Sequence, residues 1–195
     1  MKWEDYYKKI VGRQPRPLLH DVLQYFPATQ PEPSLQAIDL GCGDGTETAH
    51  LLKHGWQVLA VDGEPAATKY LLTKISGQER ALLQTQIARF EDVKLLLADL
   101  VYASYSIPFC APEHFNTLWE QIVENVKTDG RFAGEFFGIR DSWATNPEMT
   151  FHTEEQVRTL LSPFEIEYFH EMDEDGQAAS GAKHWHIFTV IAKKR

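Results

Sequence analysis

The sequence predicts an α/β fold: a mostly parallel sheet with helices on both faces and an antiparallel hairpin at its end. Three observations carry this. Short apolar runs alternate with amphipathic stretches along most of the chain, the pattern of strands buried on both faces beneath covering helices. A unit of strand, acid, glycine-bearing turn and helix occurs twice in succession, beginning at Gln36 and again at Gln57. Near the C-terminus, Phe164–Phe169 and Trp185–Ala192 read as strands with no helix between them, which makes them an edge hairpin joined by the acidic Glu171–Ala182 segment.

The elements follow in order. Trp3–Ile10 and Leu18–Tyr25 read as helices ahead of the sheet, and the Pro27–Ser34 stretch, with Pro31 and Pro33, separates this N-terminal helical lid, residues 1–34, from the remaining 35–195. Gln36–Leu40 is the first strand and Thr46–Lys53 the first helix behind it, with Thr46 placed as a cap. Gln57–Val61 is the second strand, and Pro65 opens a helix expected over Ala66–Ser76. A short helix at Glu79–Gln84 and a third strand at Ile87–Phe90 come next, then a strand at Leu100–Ser104 and a helix at Pro112–Lys127. Gly130–Phe137 is a fifth strand. Thr153 followed three residues later by Gln156 is a capping box, which starts the last helix, Glu154–Leu161. The acids Asp173, Glu174 and Asp175 are expected at a solvated hairpin tip.

Composition sets bounds on function. With 195 residues the chain suits one well-buried core. Its net charge of −9 argues against a large nucleic-acid footprint, which needs clustered Lys and Arg. No run is apolar over the length of a membrane span, and the N-terminal residues do not read as a signal peptide, so a soluble, cytoplasmic protein is expected. Two cysteines, Cys42 and Cys110, give no secreted disulfide framework and are expected as free thiols.

The most informative segment is Ala37 to Thr46, Ala-Ile-Asp-Leu-Gly-Cys-Gly-Asp-Gly-Thr. Gly41, Gly43 and Gly45 remove side chains where the backbone turns tightly against a ligand. A dinucleotide loop wants a third glycine where Thr46 stands, and Asp39 just before the turn would repel a pyrophosphate. A ligand with an ammonium and a sulfonium would be attracted instead. Asp62 ends the second strand about 20 residues on, the interval of a nucleoside-binding unit, where a carboxylate can accept from both ribose hydroxyls.

These residues resemble the class I S-adenosylmethionine-dependent methyltransferases, whose first motif is an acid followed by Gly-x-Gly-x-Gly. The resemblance runs from about Gln36 to the C-terminus. It implies a Rossmann-like, seven-stranded sheet with a terminal hairpin, and a methyl transfer from S-adenosylmethionine that yields S-adenosylhomocysteine. It also implies a set of cofactor contacts: Asp39, Gly41, Cys42 and Gly43 in the turn, Asp62 and Gly63 after the second strand, and Ser104 and Tyr105 after the fourth, where the strand ends beside the transferable methyl. After the third strand Glu91 and Asp92 are candidates for the adenine amino group, Asp92 being favoured, with Val93 on the adenine face. The same two acids also read as solvated loop residues. Arg16 and Arg13 lie where the family places a lid and where a cation could meet the cofactor carboxylate.

The acceptor is expected to be a small molecule. Enzymes acting on nucleobase amino groups carry Asn or Asp, then Pro-Pro and an aromatic, after the fourth strand; this chain has Ser104-Tyr105-Ser106. In-line displacement needs alignment and exclusion of water rather than an obligatory acid, so no catalytic residue is assigned beyond Tyr105, a poor base with an unperturbed pKa near ~10. The Phe137–Trp143 segment forms a second wall rich in aromatic and charged groups. Ala103–Phe109 and Gly134–Gly138 resemble a bacterial branch near the tellurite-resistance type. A protein or RNA methyltransferase, or a non-catalytic S-adenosylmethionine-binding protein, is the alternative. His184 and His186 alternate on a strand, with His152 and His170 in the same half of the chain, but motifs of metal-ligand spacing are absent and no metal is expected.

Overall fold

The structure, a computed structural model, describes residues 3–28, 33–179 and 181–195. Met1, Lys2 and Pro31, parts of the expected lid and separator, lie outside the described residues.

Two short helices lead, α1 (Trp3–Lys9) and α2 (Pro17–Leu23). The sheet begins with β1 (Gln36–Leu40), α3 (Thr46–Lys53), β2 (Gln57–Asp62), α4 (Pro65–Leu72), α5 (Gly77–Arg80) and β3 (Leu83–Ile87). It continues with β4 (Ala98–Ala103), a 3-10 turn at Ile107–Phe109, α6 (Pro112–Asn125) and β5 (Val126–Gly138). The last elements are β6 (Phe151–His152), α7 (Glu154–Leu160), β7 (Phe164–Ala178) and β8 (Gly181–Lys194).

Strand order is β3-β2-β1-β4-β5-β8-β7, with the two-residue β6 added beside β5. The pairs from β3 to β5 are parallel, and β5–β8 and β7–β8 are antiparallel. The expected α/β class and terminal hairpin are therefore present. The order reverses between β1 and β4, which opens a crevice outside the carboxyl ends of these strands.

Strand alternation divides the core between two faces. Ile38, Leu40, Val101, Phe132 and Phe136 pack under Phe115, Leu118, Trp119 and Ile122 of α6 and Val157 of α7. The α6 set repeats at helical spacing, which gives that helix one apolar stripe to bury. Ala37, Val58, Tyr102 and Ala133 point to the opposite face, under Leu18, Leu19 and Val22 of α2 and Leu51 and Leu52 of α3.

Several expectations need correction. The third strand is Leu83–Ile87, not Ile87–Phe90, and its register runs from Val58↔Leu83 to Asp62↔Ile87. This edge strand reads Leu-Gln-Thr-Gln-Ile, too polar to look like a strand, while its partner β2 supplies the pairing that holds it. Thr46 is not the cap of α3; Gly45 occupies that position at φ 75°, and the Thr46 hydroxyl donates instead to Asp44 Oδ2 at 2.7 Å. The acidic run is not a hairpin tip. Asp173, Glu174 and Asp175 lie in β7 opposite His186, Trp185 and His184, because ion pairs across the strands extend the ladder past the apolar segment. The Thr153–Gln156 capping box is present as expected, and a second one joins Ser76 to Glu79.

His152 is a buried group with a consequence for stability. It is 8% exposed, packs on Phe115 and Phe136, and its Nδ1 has no hydrogen-bond partner. Burial pushes its pKa down to about 4, so the ring is neutral in the fold and protonation favours unfolding. Stability from this group is complete above about pH 6.5 and is lost as pH falls toward 4, by about 3 kcal/mol. Chemical denaturation at several pH values is expected to show a flatter acid limb for His152→Phe than for the wild type; parallel curves would remove His152 from the account.

Candidate functional site

The crevice is built from the ends of β1, β2, β4 and β5. The β1 turn is pinned from below: the N–H groups of Gly41 and Cys42 both donate to Val61 O, at 2.8 and 2.9 Å. Gly41 must be glycine, since a Cβ there would stand 2.3 Å from the Ser106 Cβ, and φ is +82°. Gly43, at φ +54°, is different, because its Cβ would meet only Tyr7 Cε1 at 3.5 Å. The floor of the turn is bare there, and what closes it is a side chain from α1.

Asp62 sits at the end of β2 with both oxygens aimed at this turn. Oδ2 accepts from Gly43 N and Oδ1 from Glu64 N, each at 2.8 Å, and the Tyr7 hydroxyl reaches Oδ1 at 3.3 Å. Burial raises its pKa, opposed by the two backbone donors. A bare glycine turn facing a half-buried carboxylate fits a ribose diol. Gly63 lies beside it, close to Ala88 O, and Cys42 is a buried thiol whose pKa burial raises.

Asp39 lies under the turn rather than on its surface. It is 3% exposed and accepts from Thr48 Oγ1 at 2.5 Å, and burial followed by the Glu47 charge pushes its pKa up to about 7. The loop after β3 brings less together. Asp92 is exposed, Glu91 pairs with Arg89 at 2.7 Å, and Val93 is buried in the core cluster with Leu40 and Val61.

On the far side of the switch point, Tyr105 follows β4 in a left-handed conformation, φ +50°. Its N–H donates to Glu135 Oε2 at 3.0 Å and the Ser104 hydroxyl donates to Oε1 at 3.3 Å. Burial, with the Glu135 charge, pushes the Tyr105 phenol up to about 12, which keeps it protonated.

The N-terminal segment straps over all of this. Arg13 is committed to Asp44, at 2.9 Å, and to Glu47. Arg16 instead lays its guanidinium on the Tyr105 ring, 4.5 Å from the centroid, and among the described residues it pairs with no carboxylate. Of the two arginines, Arg16 is thus the one left to meet an anion. Beyond Tyr105, aromatic rings continue without a break: Trp3 to Phe109, Phe109 to Trp143 and Trp143 to Trp185, at 4.9, 6.2 and 5.7 Å between centroids.

Sequence reasoning missed Asp44, Glu47 and Glu135, and had Tyr7 only as part of the N-terminal Trp3–Tyr7 segment that could roof the pocket. The signal for Glu135 was present, as a lone acid inside the apolar run Phe-Ala-Gly-Glu-Phe-Phe. In the C-terminal half, Glu171, Asp173 and His186 bring ligand atoms within 4.8 Å of one another. That space already holds a cation, since the Arg140 guanidinium contacts all three.

Residues 37–130 match the family model described as a methyltransferase domain. No curated protein sequence matches the chain. Among solved structures, TehB from Haemophilus influenzae is similar over 100% of this chain and 68% of its own, with 15% identity and a TM-score of 0.78. The N-methyltransferase NodS from Bradyrhizobium japonicum, solved with S-adenosyl-L-homocysteine, covers 100% of this chain and 99% of its own at 11% identity and a TM-score of 0.68. The Burkholderia thailandensis 1,6-didemethyltoxoflavin-N1-methyltransferase, also with S-adenosylhomocysteine, covers 92% and 77% at 19% identity and a TM-score of 0.66. At such identities the likeness is one of fold, and it agrees with the glycine turn and the domain match: residues 37–130 are a methyltransferase domain, and the chain has the fold of S-adenosylmethionine-dependent methyltransferases.

Proposed function

We propose that the protein transfers a methyl group from S-adenosylmethionine to a small-molecule acceptor. The cofactor supplies a methyl already activated on a sulfonium. Asp62 would hold the ribose, Gly41 to Gly43 with Cys42 and Gly63 would line the turn, and Arg16 would meet the methionine carboxylate. Glu91 and Asp92 remain the candidates for the adenine amino group. The Ser104–Tyr105 turn would stand beside the reacting methyl.

One observation carries the choice of acceptor. The continuous aromatic wall from Trp3 through Phe109 and Trp143 to Trp185 faces the β4 and β5 ends and is overhung by the strap. A wall of this kind suits a compact acceptor with an apolar or flat face, enclosed with water excluded. Lys183 strengthens that wall: its ammonium pairs with Asp141 and lies 4.0 and 4.2 Å from the Trp143 and Trp185 centroids, so the rings are held in place. By their names NodS is an N-methyltransferase and the Burkholderia enzyme an N1-methyltransferase of 1,6-didemethyltoxoflavin, which it holds bound; this supports a small-molecule acceptor here. The net charge of −9 disfavours a tRNA or DNA acceptor. A cytoplasmic setting suits the two free, buried thiols. Among the described residues no helix is long and apolar enough to cross a membrane.

Two measurements test the reading. In equilibrium titration S-adenosylmethionine is expected to bind with a Kd on the order of micromolar and NAD not to bind. A metabolite extract freed of macromolecules is expected to drive release of S-adenosylhomocysteine, with labelled methyl recovered in a low-mass product. Release only on adding RNA or protein would transfer the assignment to those acceptors.

A further inference from the structure

Glu135 stands near the carboxyl end of β5, between Gly134 and Phe136, and is 3% exposed. A carboxylate buried this deeply needs a counter-charge or a dense set of donors. It has two neutral donors, the Tyr105 N–H and the Ser104 hydroxyl. Among the described residues no cation lies within ion-pairing distance of it.

The groups facing it come from every side. Arg16, ahead of α2, favours its charge, while Glu47 of α3 opposes it. Tyr102 and Tyr105 face it from the β4 side, and Thr189 of β8 lies opposite across the ladder. Burial outweighs the donors and Arg16, and its pKa stands at about 7. The site therefore holds an acid that is only partly ionised near neutrality and that a further cation would ionise.

The strand order says where such a cation would come from. A ligand with its ribose on Asp62 at the β2 end, lying across the β1 turn, extends toward the ends of β4 and β5, because the crevice runs along the switch point. The Ser104–Tyr105 turn at that end is held by Glu135. We propose that Glu135 is the buried counter-charge for the sulfonium of S-adenosylmethionine, so that it separates the charged cofactor from the neutral-sulfur product. The proposal rests on the cofactor placement given above.

The sign of the pH effect follows. A bound sulfonium favours the ionised carboxylate, so binding below about pH 7 must displace a proton from Glu135, and affinity for S-adenosylmethionine rises with pH through that window. S-adenosylhomocysteine keeps the ammonium and carboxylate but lacks the sulfonium, so effects of Asp39 or Arg16 on those groups cancel in the ratio of the two affinities. After transfer the attraction vanishes and product release is favoured.

The experiment is equilibrium titration of the full chain with S-adenosylmethionine and with S-adenosylhomocysteine between about pH 5.5 and about pH 7.5. The preference for the sulfonium ligand is expected to rise roughly tenfold across this range in the wild type. In Glu135→Gln, whose carbonyl still accepts from Tyr105, the preference is expected to be low and flat. A wild-type preference that does not change with pH overturns the proposal without needing the variant. So does a Glu135→Gln protein that weakens both ligands equally while keeping the pH-dependent ratio, the signature of a residue that only holds the Tyr105 turn. Saturable binding of neither ligand would instead sink the cofactor placement itself.

Discussion

Asp62→Ala is expected to weaken S-adenosylmethionine binding by about 2–3 kcal/mol, the range for removing charge-assisted hydrogen bonds to a buried diol. The carboxylate does two jobs in the fold. In the proposed site it would hold the ribose, and it fixes the Gly43 turn by accepting from Gly43 N at 2.8 Å. Alanine removes both, and the Gly43 N–H is then left to water. Tyr7→Phe separates the two contributions, because it takes away only the hydroxyl 3.3 Å from Oδ1. If a ribose must displace that hydroxyl, Tyr7→Phe binds the cofactor as well as the wild type or better, while Asp62→Ala binds far worse. Calorimetric titration of both, with thermal melts to show that each is folded, decides it. Unchanged affinity in a folded Asp62→Ala protein would end the ribose assignment.

The order in which the sequence could be read follows from where information is local. The β1 turn, β2 and Asp62 were legible because their chemistry is contained in a few consecutive residues: an apolar strand, an acid, and glycines at fixed offsets. The capping box at Thr153 was legible for the same reason. What was not legible depends on partners far along the chain. β3 has few apolar residues and is a strand because β2 pairs with it. The acidic segment at Asp173 looked like a loop, since nothing local reveals that His184 and Arg140 will neutralise it from β8 and the β5–β6 connection. Asp44 lies inside the motif and Glu47 directly after it, and both still went unassigned. Their meaning comes from Arg13, about 30 residues away, whose guanidinium closes the strap on them. Glu135 was visible as an anomaly in a strand, but its role needed the Tyr105 N–H that only the β4–β5 pairing brings to it. Val93 and Asp92 were chosen by position in a motif; the structure places Val93 in the core and Asp92 at the surface, and their part in holding an adenine stays a proposal.

Deleting residues 1–10 is expected to lower the rate of methyl transfer by about a hundredfold or more while leaving the cofactor bound, because a lid acts by excluding water and holding the acceptor in line. The deletion removes Trp3 from the edge of Phe109 and Tyr7 from Asp62, which opens both the proposed acceptor wall and the proposed ribose site. It stops short of Arg13 for a physical reason. Glu47 is 4% exposed and Arg13 is the cation it pairs with, so stripping that arginine would strand its charge inside the fold and confound activity with stability, whereas Asp44 would keep Lys74. With Arg13 kept, the loss of stability is dominated by Tyr7, whose burial against Cys42, Ala67 and Leu71 contributes about 2–3 kcal/mol. Cofactor affinity is expected to hold or to rise slightly, since Tyr7 no longer competes for Oδ1. Release of S-adenosylhomocysteine from the metabolite extract, measured beside the titration and a denaturation curve, separates the three effects. A deleted protein that turns over as fast as the intact one would show that the strap does not enclose the acceptor, and the aromatic wall would lose its place in the site.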